Sequence, residues 1–324
     1  MSKPITSMFI PTNGITLHAR VAGSGPLLLL VHGWPELSYS WRHQIDPLAQ
    51  AGFTVCAIDV RGYGKSDRPA PVDAYAMTEM MADLLGVIDH FGEESAVLIG
   101  HDWGGPIVWN TALAFPDRIR AVAGLSVPYF RRAALPPLAL WDRLYTDKDR
   151  FFYQVYFQAE GVAEAAFDAD PRAALAKIYF ALSGDAAKVG GVWPALRVNE
   201  PLLDHLPVPD PFPAWMSAAE LDTFAENFAR SGFRGPFNRY RNIDADYHAL
   251  PEYGVQAITQ PSAFIAGSLD PVRSFVPGRD AYQSAGELLS DIRGLPIIDG
   301  AGHWIQQESP KAVTTALLDF VTGL

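Results

Sequence analysis

The chain has 324 residues, 49% of them hydrophobic and 19% charged, a globular balance that excludes disorder and suffices for one large α/β domain or two ordinary ones. A formal net charge of −11 with no basic stripe argues against nucleic acid as a partner. The longest apolar run, PLLLLV, falls far short of the roughly 20 residues that span a bilayer, and the opening MSKPITSMFIPTNG has no secretory h-region, so a cytoplasmic protein without membrane contact is expected.

In chain order, ITLHARVAG, PLLLLVHG, FTVCAIDV, SAVLIG and IRAVAGLSVP read as strands. Between them, SWRHQIDPLAQAG and MTEMMADLLGVIDHFG space their apolar residues as helices do. Unbroken apolar strands alternating with helices predict a mostly parallel, doubly wound α/β sheet covered on both faces. Cys56, the single cysteine, sits in one of those strands as a small buried apolar residue.

From about Pro128 to Tyr247 the composition shifts to alanine, aromatics and proline, with a helical patch PRAALAKIYFAL and a stiff loop LPVPDPFPAW. Ser217-Ala218-Ala219-Glu220 matches a capping box, opening a helix that stops near Gly232. Strand signals return with PSAFIAG and LPIIDG, and a last helix takes Ser309 as N-cap and Pro310 as its first residue. The expected organisation is a core formed by residues 1–127 and 248–324, interrupted by an all-helical lid (cap) over 128–247.

The stretch AVLIGHDWGGPIVW turns abruptly from strand to helix, the context of a nucleophile elbow, but places Asp102 where serine usually stands. A carboxylate is anionic at neutral pH, with an unperturbed pKa near ~4, and can displace a leaving group from saturated carbon to form an alkyl ester. Hydrolysing that ester requires a base for water and donors for an oxyanion. Asp270 follows the strand PSAFIAG, and His303 follows LPIIDG, in the order nucleophile, acid, histidine. Each by itself reads equally as a turn-forming Asp-Pro or a loop histidine; their joint order and strand-end placement favour a triad. LVHGWPE also follows a strand, so the Trp34 and Trp103 backbone N–H groups are candidate oxyanion donors, and Pro35 fixes the turn, through a cis bond in one reading.

HGWPE, RGYGKSDRP, GHDWGG, GSLDPV and GAGHWIQQESP together resemble the epoxide hydrolases of the α/β-hydrolase superfamily, from about Gly14 to the end. The elbow alone is shared with haloalkane and haloacetate dehalogenases. What separates them is the group that receives the leaving atom: an epoxide oxygen leaves as an alkoxide and needs a proton donor, a role tyrosine fills at neutral pH. From the residues alone, Tyr153 and Tyr156 are equal candidates, and Tyr153, Tyr156 and Phe157 share a helical face that reads equally as core. Tyr240, among Arg239, Arg241 and Asn242, reads as a surface loop or helix end.

The resemblance implies that Tyr153 and Tyr240 activate the epoxide, and that Trp34, Trp103, Gln154 and Phe157 contact a small apolar epoxide. It implies a vicinal diol as product through an ester on Asp102, in a monomer or homodimer, with detoxification one role among several. The alternatives are a haloalkane or haloacetate dehalogenase, for which Trp103 is one halide donor, and a catalytically silent ligand-binding protein of this fold. His32 and His101 are expected to play supporting roles. His18, His43, His90, His205 and His248 show no metal-ligand spacing, RGYGKS lacks phosphate-loop spacing, and no metal or cofactor is expected.

Overall fold

The computed structural model describes residues 4–191 and 196–324. Its strands are β1 (Thr6–Thr12), β2 (Ile15–Gly23), β3 (Leu27–Val31), β4 (Thr54–Ile58), β5 (Ala96–His101), β6 (Ile119–Leu125), β7 (Ile258–Gly267), β8 (Leu289–Gly294) and β9 (Ile297–Ile298). They form one sheet in the order β1-β2-β4-β3-β5-β6-β7-β8, with β9 beside β7. The β1–β2 and β2–β4 pairs are antiparallel; every other pair is parallel.

Period-2 alternation explains why the central strands are apolar throughout. Leu27, Leu29 and Val31 of β3 enter one core with Cys56, Met80, Leu84 and Ile107, whereas Leu28 and Leu30 enter the other with Ile45, Val97, Val313 and Leu317. Helices α2 (Met77–His90) and α3 (Gly104–Ala114) cover the first face. The second is covered by α1 (Ile45–Gln50) and by the last helix, Pro310–Thr322. Cys56 is fully buried, and burial pushes its thiol well above the usual range.

Between β6 and β7 the described residues form no strand. The helices there are α4 (Pro137–Leu144), α5 (Tyr153–Tyr156), α6 (Val162–Ala169), α7 (Pro171–Ala181), α8 (Gly184–Lys188), α9 (Ala218–Ser231), α10 (Arg234–Arg241) and α11 (Ile243–Ala249). The capping box at Ser217 forms as expected: the Ser217 hydroxyl accepts the Glu220 N–H, and the Glu220 carboxylate accepts the Ser217 N–H at 2.8 Å. Arg42 ties this helix start to the core, donating to Glu220 at 2.6 Å and to Gln307 at 2.7 Å.

Several expectations need adjustment. Strands β1 and β8 are edge strands whose sequences, TSMFIPT and LSDIRG, carry exposed polar residues and so lack the apolar continuity of the centre. LPIIDG contributes only the two residues of β9, because the chain turns towards His303 at once. Helix α11 continues to Ala249, two residues past the sequence-based boundary at 247. Ser309 stands at the N-cap of α12 (Pro310–Thr322), but its side chain accepts no cap hydrogen bond. No helix among the described residues is long and apolar enough to cross a membrane.

Candidate active site

Asp102 lies between β5 and α3 with φ +50°, a left-handed conformation that costs a non-glycine residue of order 1–3 kcal/mol. Its neighbours leave the backbone no other path. A Cβ on Gly104 would fall 2.1 Å from the Val31 carbonyl oxygen, and one on Gly33 would fall 2.3 Å from Asp102 Oδ1 and 2.6 Å from the Trp103 nitrogen. Only glycine admits α3 this close to β3, and only glycine lets the loop after β3 meet the elbow. That approach delivers the Trp34 N–H to Asp102 Oδ1 at 2.6 Å, with the Trp103 nitrogen alongside. The Trp34–Pro35 bond is cis.

His303 stands between two carboxylates. Its Nε2 is 3.3 Å from Asp102 Oδ2, and its Nδ1 is 3.1 Å from both oxygens of Asp270. Asp270 follows β7 and also accepts the Val272 N–H at 2.9 Å. Burial favours its neutral form, but the charge and hydrogen bond of His303 outweigh burial and hold the carboxyl below its ordinary range. Burial likewise opposes charge on His303, yet Asp270 and then Asp102 lift the imidazole well above its usual value. The structure thus brings Asp102, Asp270 and His303 together in one hydrogen-bonded line.

The rest of the His303 setting was not legible as a site. The His303 carbonyl accepts from His101 Nε2 and from Ser126 Oγ, both at 2.8 Å, while its N–H donates to the Leu182 carbonyl at 3.0 Å. His101 Nδ1 in turn lies 2.6 Å from Glu36, a fully buried carboxylate that also accepts from Gln306 and Gln307 at 2.9 Å. Tyr282 donates to the Ser126 carbonyl at 2.8 Å and stands against Asp270. His101 was expected in support and is found there, as is His32, whose Nε2 accepts the Val60 N–H at 3.0 Å. Ser126 and Tyr282 sit in stretches with no motif or periodicity to mark them.

Tyr153 and Tyr240 approach from the helices α5 and α10, with ring centroids 5.8 Å apart. Tyr240 also packs edge-on to Trp103 at 5.2 Å and to Trp34 at 5.9 Å. Burial pushes both phenols far up, with the Asp102 charge adding to the shift, so both stay protonated at neutral pH. The expected surface setting of Tyr240 is corrected: it is only 1% exposed and Arg239 only 2%. The polar neighbours are internal because they are paired, Arg241 with Glu164 at 2.7 and 3.0 Å, and Arg239 with Asp246 and with the Tyr75 carbonyl. Arg239 also lies 5.0 Å from the Trp103 ring, and burial pulls its guanidinium down to about 9.

Gln154 has both ends of its amide engaged: it accepts the Trp141 indole N–H at 2.9 Å and donates to the Tyr153 hydroxyl at 3.0 Å. Phe157 is fully buried, ringed by Trp34, Tyr153, Tyr240 and Phe237. No group of three or more metal-binding side chains gathers among the described residues.

A family profile described as the alpha/beta hydrolase fold matches residues 26–310. Epoxide hydrolase A of Mycobacterium tuberculosis is 43% identical over 98% of both chains. The crystal structure of epoxide hydrolase A from Mycobacterium thermoresistibile superposes with a TM-score of 0.92 at 42% identity, covering 99% of each chain. An epoxide hydrolase from an endophytic Streptomyces gives 0.90 at 42% identity, covering 99% of this chain and 96% of that one. The chain therefore belongs to the α/β-hydrolase superfamily and, within it, to the epoxide hydrolases.

Proposed function

We propose that this protein adds water to small apolar epoxides to give vicinal diols, through a covalent ester on Asp102. The observation that carries the reading is the placement of a carboxylate and two protonated phenols about one site. Asp102 accepts the Trp34 N–H, Tyr240 packs edge-on to both the Trp34 and Trp103 rings, and Tyr153 stands 5.8 Å from Tyr240. The helices over 128–247 act as the lid that supplies the two tyrosines.

In the first half-reaction Tyr153 and Tyr240 hydrogen-bond the epoxide oxygen, and Asp102 attacks a ring carbon from the opposite side. The C–O bond breaks, a phenol proton goes to the new alkoxide, and a hydroxyalkyl ester remains on Asp102. Esterification removes the Asp102 charge, which is one of the groups that holds a proton on His303. The imidazolium passes its proton to the phenolate left by ring opening and, now neutral and oriented by Asp270, takes a proton from the attacking water, gives it to the departing diol oxygen and regains one from the Asp102 acid. The Trp34 and Trp103 N–H groups hold the tetrahedral oxyanion. Asp102 returns as a carboxylate with one oxygen from water. Trp34, Trp103, Gln154 and Phe157 shape the substrate space, Gln154 and Phe157 by fixing the Tyr153 and Tyr240 rings.

The competing dehalogenase reading needs two free indole or amide N–H groups for halide. The Trp103 ring packs edge-on against Tyr240, a phenol able to protonate an alkoxide, which favours the epoxide. Incubation with an epihalohydrin separates the two: a halogenated diol without free halide is expected, and halide release with the oxirane intact would overturn the proposal. His303→Gln should stop the reaction after ring opening and leave Asp102 heavier by one substrate; an unmodified protein after saturating epoxide would contradict the covalent step.

A further inference from the structure

On the opposite edge of the sheet, β1 and β2 bring a second serine, histidine and aspartate into line. Antiparallel register sets Ser7 opposite Arg20 and Phe9 opposite His18, so these four side chains share one face of the ribbon. Asp59 follows β4, where its N–H donates to the His18 carbonyl at 2.8 Å. Ser7 Oγ is 2.8 Å from His18 Nε2, and His18 Nδ1 is 2.7 Å from Asp59 Oδ2. Asp59 is 3% exposed and accepts two further N–H groups, from Ser38 at 2.8 Å and Lys65 at 3.2 Å. Burial pushes its carboxyl up, but the hydrogen bonds from His18 and Ser38 oppose burial, and the carboxyl stays below the usual range. A carboxylate on Nδ1 selects the Nδ1–H tautomer, which leaves Nε2 to accept the Ser7 proton.

Ser7 opens onto a groove of about 280 Å³ whose other walls include Ile5, Arg20, Tyr39, Lys65 and Asn227. The Arg20 guanidinium rests 5.1 Å from the Tyr39 ring, and among the described residues neither it nor the Lys65 ammonium makes a hydrogen bond or an ion pair. Two such cations on a chain of net charge −11 form a local site for an anion.

We propose that Ser7, His18 and Asp59 form a second nucleophilic centre, separate from Asp102, that takes the acyl group of small carboxylate-bearing esters held by Arg20 and Lys65. Ser7 Oγ bonds to the ester carbonyl carbon and gives its proton to His18 Nε2. The bond from that carbon to the leaving oxygen breaks, and His18 returns the proton to the departing alcohol. Water then attacks the acyl-serine, its proton passing through His18 to Ser7 Oγ as the acid leaves. With an activated aryl ester the leaving group departs easily, acylation outruns hydrolysis, and the acyl-serine accumulates.

The test uses the full chain carrying Asp102→Ala and His303→Gln, which silences the site under the lid, and mono-para-nitrophenyl glutarate as probe. A burst of nitrophenolate approaching one per chain is expected, with one glutaryl group on the peptide that contains Ser7. Ser7→Ala, at an exposed edge-strand position, should abolish the burst without moving the thermal unfolding midpoint, and His18→Gln should slow it at least about tenfold. Arg20→Met with Lys65→Met should erase the preference for this ester over neutral para-nitrophenyl butyrate. Absence of a burst, a burst undiminished in Ser7→Ala, or glutaryl found on Lys65 would overturn the serine centre; a preference that survives loss of both cations would overturn the anion site.

Discussion

Around Asp102 the backbone closes on itself until no side chain fits: Gly104 lies against the Val31 carbonyl and Gly33 against the Asp102 carboxylate. Around Tyr153 and Tyr240 the fit is made of rings. Phe157 touches Phe237 at 4.5 Å and Tyr240 at 5.0 Å, and polar ties such as Arg42–Glu220, Arg239–Asp246 and Arg241–Glu164 seat the helices. The sheet-borne half of the site is therefore fixed by main-chain contact, which tolerates no added atom. The helix-borne half is fixed by side-chain packing, where a swap of similar volume is absorbed. The difference assigns different failure modes: atoms added at the elbow's glycines cost folding, whereas loss of the Asp102 carboxylate or of the tyrosine hydroxyls costs chemistry.

The sharpest test of that contrast is Asp102→Gly. It should remove turnover by at least about 10⁴-fold because the proposed covalent step is lost, while relief of the φ +50° strain stabilises the fold by about 1 kcal/mol in urea titration. Tyr240→Phe keeps the ring and its contacts, so single-turnover ring opening should slow by about 10²–10³-fold with the urea midpoint unchanged, and adding Tyr153→Phe should stop it. A large loss of stability in Tyr240→Phe would break the comparison from the other side. Gly104→Ala reverses the pattern: with its Cβ 2.1 Å from a backbone oxygen, it should cost about 3 kcal/mol or more.

The pH dependence should divide along the reaction. Free His303 is lifted by Asp270 and Asp102, so its imidazolium adds stability that is full below about 6.5, the unfolded value, and is lost as pH rises through the folded pKa. In the proposed mechanism esterification of Asp102 shrinks that lift, so rapid-quench traces should show ester hydrolysis rising with pH through a lower apparent pKa than the free histidine has by NMR. Coincident values would argue that Asp102 contributes nothing to the shift. The smallest effect is expected at the start of α9, where Ser217→Ala removes a capping box that Arg42 still anchors through Glu220. A loss of about 1 kcal/mol in thermal unfolding, with diol formation intact, is the expected outcome.

Much of this was written in local sequence. The apolar runs LLLLV and TVCAI specified buried parallel strands by lacking any polar face, and the capping box at Ser217 marked a real helix start because its partners lie three residues apart. The glycine-flanked Asp102, with Asp270 and His303 each just beyond a strand, followed from strand ends and chain order. What local sequence did not contain was which polar residues would be paired. Tyr240 among two arginines looked solvated, and it is internal because Glu164 on α6 and Asp246 on α11 neutralise them. Ser126 and Tyr282 carry no motif at all, yet they support the backbone and the carboxylate on either side of His303. Strand periodicity and turn chemistry act within a few residues, so the sequence by itself determined the central strands and the strand-end positions of Asp102 and Asp270. Partners brought together across 150 residues or more, such as Ser126 with His303 and Tyr282 with Ser126, were decided only by how the sheet orders its strands and how the helices pack against it.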